Sequence, residues 1–266
     1  MISFSNMGRY GRLGNQMFQY ACAYAVAKRH NTEIGISSHD SYRQASTNQL
    51  IETFTLQSAV LDKFDNVKYS FQENGFEYDA RIEIVPNDTD IQGYFQSERY
   101  FSHVRKDLLI NEFSFRPHIQ ESANKVWDSY NHHGPVCSIH VRRGDYKTLQ
   151  DTHPNLGLDY YARAIELIPE CEKYIIFSDD TILAQELMSK IQTVPAHRFT
   201  YPDLDYNISI AIMSRCTHHI IANSSYSWWG AWLSQQHGIV AAPKTWFGIK
   251  GPSNWKDIYC NSWNIV

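Results

Sequence analysis

Two arginines at the end of an apolar strand are the chain's clearest chemical signal. The stretch HVRRGDY, His140 to Tyr146, closes the run VCSIHV at 136–141. In open α/β sheets ligands bind beyond the carboxyl ends of the strands. Arg142 and Arg143 therefore stand where fixed positive charge and planar, bidentate donors suit phosphate oxygens. Asp145 follows, able either to orient an arginine or to act as a base. A plain Arg-Arg-Asp ion-pair turn on the surface is the competing reading, and it leaves the strand-end position unexplained.

Three further constellations carry chemistry. ANSSYSWWGAW, Ala222 to Trp232, again runs from a strand into a helix start. Asn223, Ser224, Ser225 and Ser227 offer an amide, hydroxyls and N–H groups where the helix dipole favours an anion, a second phosphate contact. Ordinary capping by Ser224 or Ser225 is the alternative, and the three tryptophans read as core. FSDD sets Asp179 and Asp180 after a strand, where they can bind a metal, hydrogen-bond a ribose or base, or cap the helix opening at Thr181. Near the start, GRYGRLGNQ is no P-loop, since no Gly-Lys-Ser/Thr follows, and it misses the G-x-G-x-x-G spacing. What remains is a glycine turn carrying Arg9 and Arg12, then Asn15 and Gln16 at the amino end of a helix. Such a turn brings N–H groups and a guanidinium up to a diphosphate.

These groups need a scaffold of strand ends, and the chain supplies it. From Val136 to Pro243 short β-branched runs (136–141, 173–178, 197–201, 218–223, 238–243) alternate with segments of helical period. That alternation predicts βαβ units and a parallel sheet covered on both faces. MISFS, a helix from about Asn15 to Arg29, and TEIGIS read as another βαβ start, and DTDIQGYFQSERYF as a strand entering a helix near Ser97. The expected class is α/β, two Rossmann-like halves facing a donor/acceptor cleft, divided as 1–130, 131–245 and an irregular segment at 246–266.

At 266 residues the chain exceeds one ordinary compact domain. Its net charge of −4 leaves no basic field for nucleic acid. Aromatic residues make up 14 %, a share that suits a carbohydrate site as well as a rich core. The five cysteines form no metal-ligand spacing and read as reduced thiols of a cytosolic protein. With neither a signal core nor an apolar run long enough to span a membrane, the expected location is cytoplasmic, free or peripheral at the inner membrane face.

GRLGNQMFQYA, HVRRGDY and NSSYSWWGAWL, with GYFQSERYF at 93–101, resemble in order the signature blocks of the α-1,2-fucosyltransferase family, glycosyltransferase family 11. The resemblance covers essentially the whole chain. It implies a GT-B-like fold, GDP-β-L-fucose as donor, and metal-independent transfer with inversion, usually to the 2-hydroxyl of galactose. No cofactor is implied, and the acceptor would be a galactose-terminated oligosaccharide or lipid-linked glycan. Residues 1–130 would be the acceptor-side half and 131–245 the nucleotide-sugar half. Similarity to related fucosyltransferases puts Arg142 on the β-phosphate, His140 near the nucleoside and Asn15 towards the donor. One position departs: the helix before the third block commonly carries an acidic residue where this chain has Ser209.

Charge developing on the departing diphosphate calls for donors aimed at it, here Arg142 aided by Arg143, Ser225 and Ser227. Asp145, or Asp151 in KTLQDTHPN, would take the acceptor's proton. Donor contacts are expected from Arg12, Asn15, Gln16, His140, Arg143, Asp179, Asn223, Ser224, Ser225 and Ser227. Two other classes stay open. A metal-dependent glycosyltransferase using the Asp-x-Asp of Asp88 and Asp90, or Asp203 and Asp205, would lose activity in EDTA. A non-catalytic nucleotide- or sugar-binding module would bind GDP without turnover.

Overall fold

The computed structural model of the chain describes residues 1–39, 48–61, 63–144, 146 and 148–266. It divides into two compact units, Met1–Arg116 with Asn254–Cys260, and Pro117–Ser253 with Asn261–Val266.

The first unit contains β1 (Ile2–Phe4), α1 (Leu13–Arg29), β2 (Ile34–Ser37), α2 (Gln49–Thr53), β3 (Ala59–Leu61), β4 (Tyr69–Gln72), β5 (Thr89–Gln92) and the single turn α3 (Arg105–Asp107). The strands are all parallel in the order β3-β2-β1-β5-β4. β1 is central, with Ile2 opposite Ile34 on one side and Thr89 on the other. Apart from Asn15, α1 is buried from Leu13 to Ala27, as expected of a helix apolar on every face and packed on its sheet. Its first turn lacks a side-chain cap from Arg12. Instead Leu13 N–H donates to Gln49 Oε1 at 2.8 Å, while Leu50 N–H of α2 donates to Gln16 Oε1 at 3.0 Å. Each helix thus satisfies an orphan donor of the other.

The second unit contains α4 (Pro117–Ser129), β6 (Val136–Val141), α5 (Leu158–Leu167), β7 (Lys173–Ser178), α6 (Thr181–Met188), β8 (Phe199–Thr200), α7 (Tyr206–Met213), β9 (His218–Ile220), α8 (Ser225–Trp232), β10 (Val240–Ala242) and β11 (Asn264–Ile265). Its parallel order is β11-β10-β9-β6-β7-β8. Every residue of the central β6 is buried, and four of its six residues are apolar, Ser138 and His140 being the polar exceptions. Trp228, Trp229 and Trp232 are core, and all five cysteines are free and buried.

The boundary falls at Arg116/Pro117, not at residue 130. Pro117 opens α4 at the position where its missing N–H costs nothing, and α4 packs on α7 of the second unit. The segment 246–266 is likewise shared out. Asp257 returns to the first unit, accepting from Tyr78 N–H at 2.9 Å and Arg99 Nη1 at 3.1 Å, and β11 extends the second sheet. The strands expected at 197–201, 218–223 and 238–243 are shorter, because the sheet's register ends before their last residues. Ser97 caps one tight turn, Glu98–Tyr100, rather than a full helix. Among the described residues no helix is long and apolar enough to cross a membrane.

Candidate active site

In the second unit the arginine turn leaves the end of β6 as the sequence implies. Arg142 Nη1 meets Asp179 Oδ2 at 2.6 Å, and its guanidinium lies 5.2 Å from the centre of the Tyr146 ring. The other Asp179 oxygen accepts Arg143 N–H at 2.8 Å. One carboxylate, at the end of the neighbouring β7, therefore holds both the turn's backbone and the guanidinium it presents. Gly144 is required by that approach: a Cβ there would sit 2.3 Å from Asp179 Oδ2. Asp180 turns the other way and caps α6, accepting Leu183 N–H at 3.0 Å.

Arg143 points elsewhere. It is buried, and its Nη2 donates to Leu156 O at 2.7 Å. It thereby pins the chain that returns from the turn towards α5. The two arginines separate as adjacent residues leaving a strand should. His140 is buried too. Burial, reinforced by the charge of Arg142, pushes its imidazole down to about 3, so it is neutral near pH 7. Its Nδ1 has no hydrogen-bond partner among the described residues. Its carbonyl accepts from Tyr161 OH at 3.0 Å, and its ring lies 5.8 Å from that of Tyr226.

The residues at the start of α8 play unequal parts. Asn223 Nδ2 donates to Pro154 O and Trp246 O, both at 3.1 Å, and its own carbonyl accepts Tyr146 OH at 3.0 Å. It is a knot joining three loops. Ser224 is the helix cap, and buried Ser227 accepts Ala222 N–H at 3.2 Å. Ser225 is half-buried at the first position of α8. Ser209 Oγ donates to Leu204 O at 3.4 Å. Asp151 is exposed and pairs with Lys250 at 2.7 Å. Asp145 lies outside the described residues.

In the first unit the glycine turn follows β1. Gly8 and Gly11 have φ of 84° and 113°, and a Cβ at Gly11 would lie 2.2 Å from Asn15 Nδ2. Asn15 uses that space, donating to Tyr10 O at 2.7 Å and accepting Gln96 Nε2 at 2.8 Å. Gln16 is wholly buried between α1 and α2. Arg9 and Arg12 are exposed. The Asp-x-Asp at 88–90 is engaged: Asp88 pairs with Lys68 at 2.7 Å and the N-terminal ammonium at 2.9 Å, while Asp90 accepts Ser3 Oγ and Ser5 N–H, both at 2.8 Å.

The sequence profile of glycosyl transferase family 11 matches residues 4–266. The chain belongs to glycosyltransferase family 11. An α-1,2-colitosyltransferase of Escherichia coli is 29 % identical over 89 % of this chain and 90 % of its own. Galactoside α-(1,2)-fucosyltransferase 2 of Pongo pygmaeus is 25 % identical over 88 % of this chain and 70 % of its own. Among solved structures, POFUT1 in complex with GDP matches with a TM-score of 0.57 at 13 % identity, over 91 % of this chain and 97 % of that one. That last likeness is one of fold, and it places the family 11 chain in the GT-B-like α/β class. Of this glycosyltransferase's structured residues, sequence reasoning missed Glu73, Gln49 and Gln96 as supports. Only Gln96 left a trace, within the GYFQSERYF block.

Proposed function

We propose that this family 11 enzyme is an inverting, metal-independent transferase moving L-fucose from GDP-β-L-fucose to the 2-hydroxyl of a terminal β-galactoside, free or lipid-linked, in the cytoplasm. The observation that carries the reading is Arg142, set at the end of β6 with its guanidinium fixed by Asp179 at 2.6 Å. Preorganised donors matter most where charge develops, and a planar fork suits the β-phosphate. In the reaction the bond between the fucose anomeric carbon and the β-phosphate oxygen breaks, and its electron pair leaves with GDP. A new bond forms to the galactose oxygen, whose proton passes to Asp145 or Asp151.

The second unit is the proposed nucleotide-sugar half and the first the acceptor half. Ser225 and the N–H groups opening α8 are proposed diphosphate donors. His140, neutral and buried beside Arg142, is proposed to face the nucleoside. Arg12, Asn15 and Gln16 remain proposed donor contacts of the first unit, the last two through the turn they hold. Asn223, Arg143 and Ser227 act as positioning residues. The relative named for galactoside α-1,2-fucosyl transfer supports this choice of linkage, and the one named for colitosyl transfer makes the transferred sugar the point to resolve. The test is incubation with GDP-fucose and a panel of β-galactosides, with and without EDTA, the product linkage being read by NMR. An α-1,2-fucosylated product formed equally in both is expected. Strict metal dependence, or GDP binding without turnover, overturns the proposal.

A further inference from the structure

Three half-buried rings line the carboxyl ends of adjacent strands in the first unit. Tyr10 follows β1, Tyr94 follows β5 and Phe76 follows β4. Phe76 stacks on Tyr94 with centroids 5.0 Å apart and planes at 27°, and Tyr10 meets Tyr94 edge-on at 5.4 Å. Beside Phe76, Gly75 has nothing within 4 Å of where a Cβ would sit, so space is open there. Exposed Arg9 and Asn74 border the row.

The row is built and held. Glu73 is buried, and its Oε2 accepts Tyr94 N–H at 2.7 Å and Phe95 N–H at 2.8 Å, while Oε1 accepts Tyr100 OH at 2.8 Å. Phe95 carries φ of 52°, a left-handed conformation unfavourable for an aromatic residue. The same turn sends Gln96 to Asn15, and Asn15 holds Tyr10 O, so Tyr94 and Tyr10 share one hydrogen-bonded frame. A buried carboxylate and a strained backbone are costly ways to present partly exposed rings, and such strain collects at ligand sites.

We infer that Tyr10, Tyr94 and Phe76 form a sugar-stacking subsite that binds the acceptor's terminal galactoside. A pyranose has an apolar C–H face and a rim of hydroxyls. The row offers aromatic faces, whose negative quadrupole suits C–H groups, bordered by a guanidinium and an amide for the hydroxyls. The ligand is neutral, so no counter-charge is needed at the rings. The assignment rests on the galactoside acceptor proposed above.

The test is equilibrium binding of N-acetyllactosamine to the full chain by saturation-transfer NMR, alongside acceptor KM, donor KM, GDP affinity and Tm. Tyr94→Ala and Phe76→Ala are each expected to weaken acceptor binding about 3- to 10-fold, the range of one aromatic pair. Acceptor KM should follow, with GDP affinity and donor KM within about twofold. Tyr94→Phe should bind as the wild type does, because the ring and not the hydroxyl is needed; failure of that rescue overturns the subsite. Unchanged acceptor affinity in both alanine variants overturns it, as does a fall in GDP affinity instead, which would make the rings a base platform. Should either alanine variant lose its cooperative melt, Tyr10→Ala gives the same reading. If the wild type binds galactoside through these rings yet transfers no fucose, the proposed reaction fails and the subsite stands.

Discussion

The arginine turn after β6 and the aromatic turn after β5 are built by one device in two electrostatic settings. In each, a carboxylate from the neighbouring strand end accepts backbone N–H groups of the turn: Asp179 for Arg143, Glu73 for Tyr94 and Phe95. Asp179 is 26 % exposed and has a guanidinium beside it, so holding the turn and presenting a cation are the same act. Glu73 is 7 % exposed and is held, among the described residues, by uncharged donors alone. Burial lifts it to about 7, against the lowering effect of the N–H groups of Phe95 and Tyr94 and the hydroxyl of Tyr100. A carboxylate with a cation secures a charged display; one without it secures an uncharged display, and burial raises Glu73 into the neutral range.

Breaking the cationic side should have the largest effect. Arg142→Lys keeps charge near Asp179 but loses the fork, so kcat/KM is expected to fall by about 2 to 4 kcal/mol of transition-state stabilisation with little change in Tm. Arg143→Lys should do the reverse. Its buried guanidinium holds Leu156 O at 2.7 Å, and leaving such a carbonyl unpaired costs about 1 to 3 kcal/mol of stability. Steady-state kinetics beside thermal melts separate the two. If Arg143→Lys proves the more damaging to turnover at unchanged Tm, the phosphate role moves to Arg143.

The pH dependence of Glu73 is the next largest. Glu73 rises in the folded state from 4.5 to about 7, so between those values the folded chain holds more proton than the unfolded one. Its contribution is therefore most favourable below pH 4.5 and is lost as pH climbs through 7. Glu73→Gln, which cannot ionise, should lack this slope. The stability difference between wild type and variant is expected to shift by about 2 to 3 kcal/mol from pH 5 to pH 8, in favour of the variant at high pH. Urea melts at four pH values measure it, and parallel curves would show that burial does not set the charge state of Glu73.

Weaker still is the link from the aromatic turn to the glycine turn. Gln96→Ala and Asn15→Ala each remove the 2.8 Å bond between them and should each cost about 1 kcal/mol in kcat/KM with the fold retained. Because they share one bond, the double variant should lose less than the sum. Strict additivity would mean that the two turns work separately.

What was legible in the sequence tracks distance along the chain. β6 and β7 were readable to the residue, because strands buried on both faces are rich in apolar and β-branched residues, here Val136, Ile139 and Val141, and Ile175 to Phe177. The place of Arg142 just past the end of β6 was readable from the strand pattern. The carboxylate clamps were not, since Asp179 lies 36 residues from Arg143, and nothing local marks Glu73 as the partner of a turn 21 residues on. Asn223 shows a different limit. An amide at a strand end reads as a ligand donor, and nothing local announces that its Nδ2 also ties Pro154 O and Trp246 O. The two residues of β11 are too few for alternation to declare itself.

Asp151→Asn should change least, and for that reason it sharpens the comparison. The Asp151 carboxylate has a cation like Asp179, but both it and Lys250 are mostly exposed, at 62 % and 72 %. Exposed pairs contribute about 0 to 1 kcal/mol, because water screens them and two mobile side chains must be ordered. The loop does not depend on the pair, since Lys250 N–H donates to Asp151 O at 2.8 Å and Gly248 N–H to Thr152 O at 2.9 Å. Those backbone bonds survive the substitution. Tm should move by no more than about 2 to 4 °C, and turnover should stay within about threefold if Asp145 takes the acceptor's proton. A loss of about a hundredfold at unchanged Tm is the scale of a general base. That result would place the proton on Asp151 and make an exposed, cation-paired carboxylate matter more to turnover than either clamp.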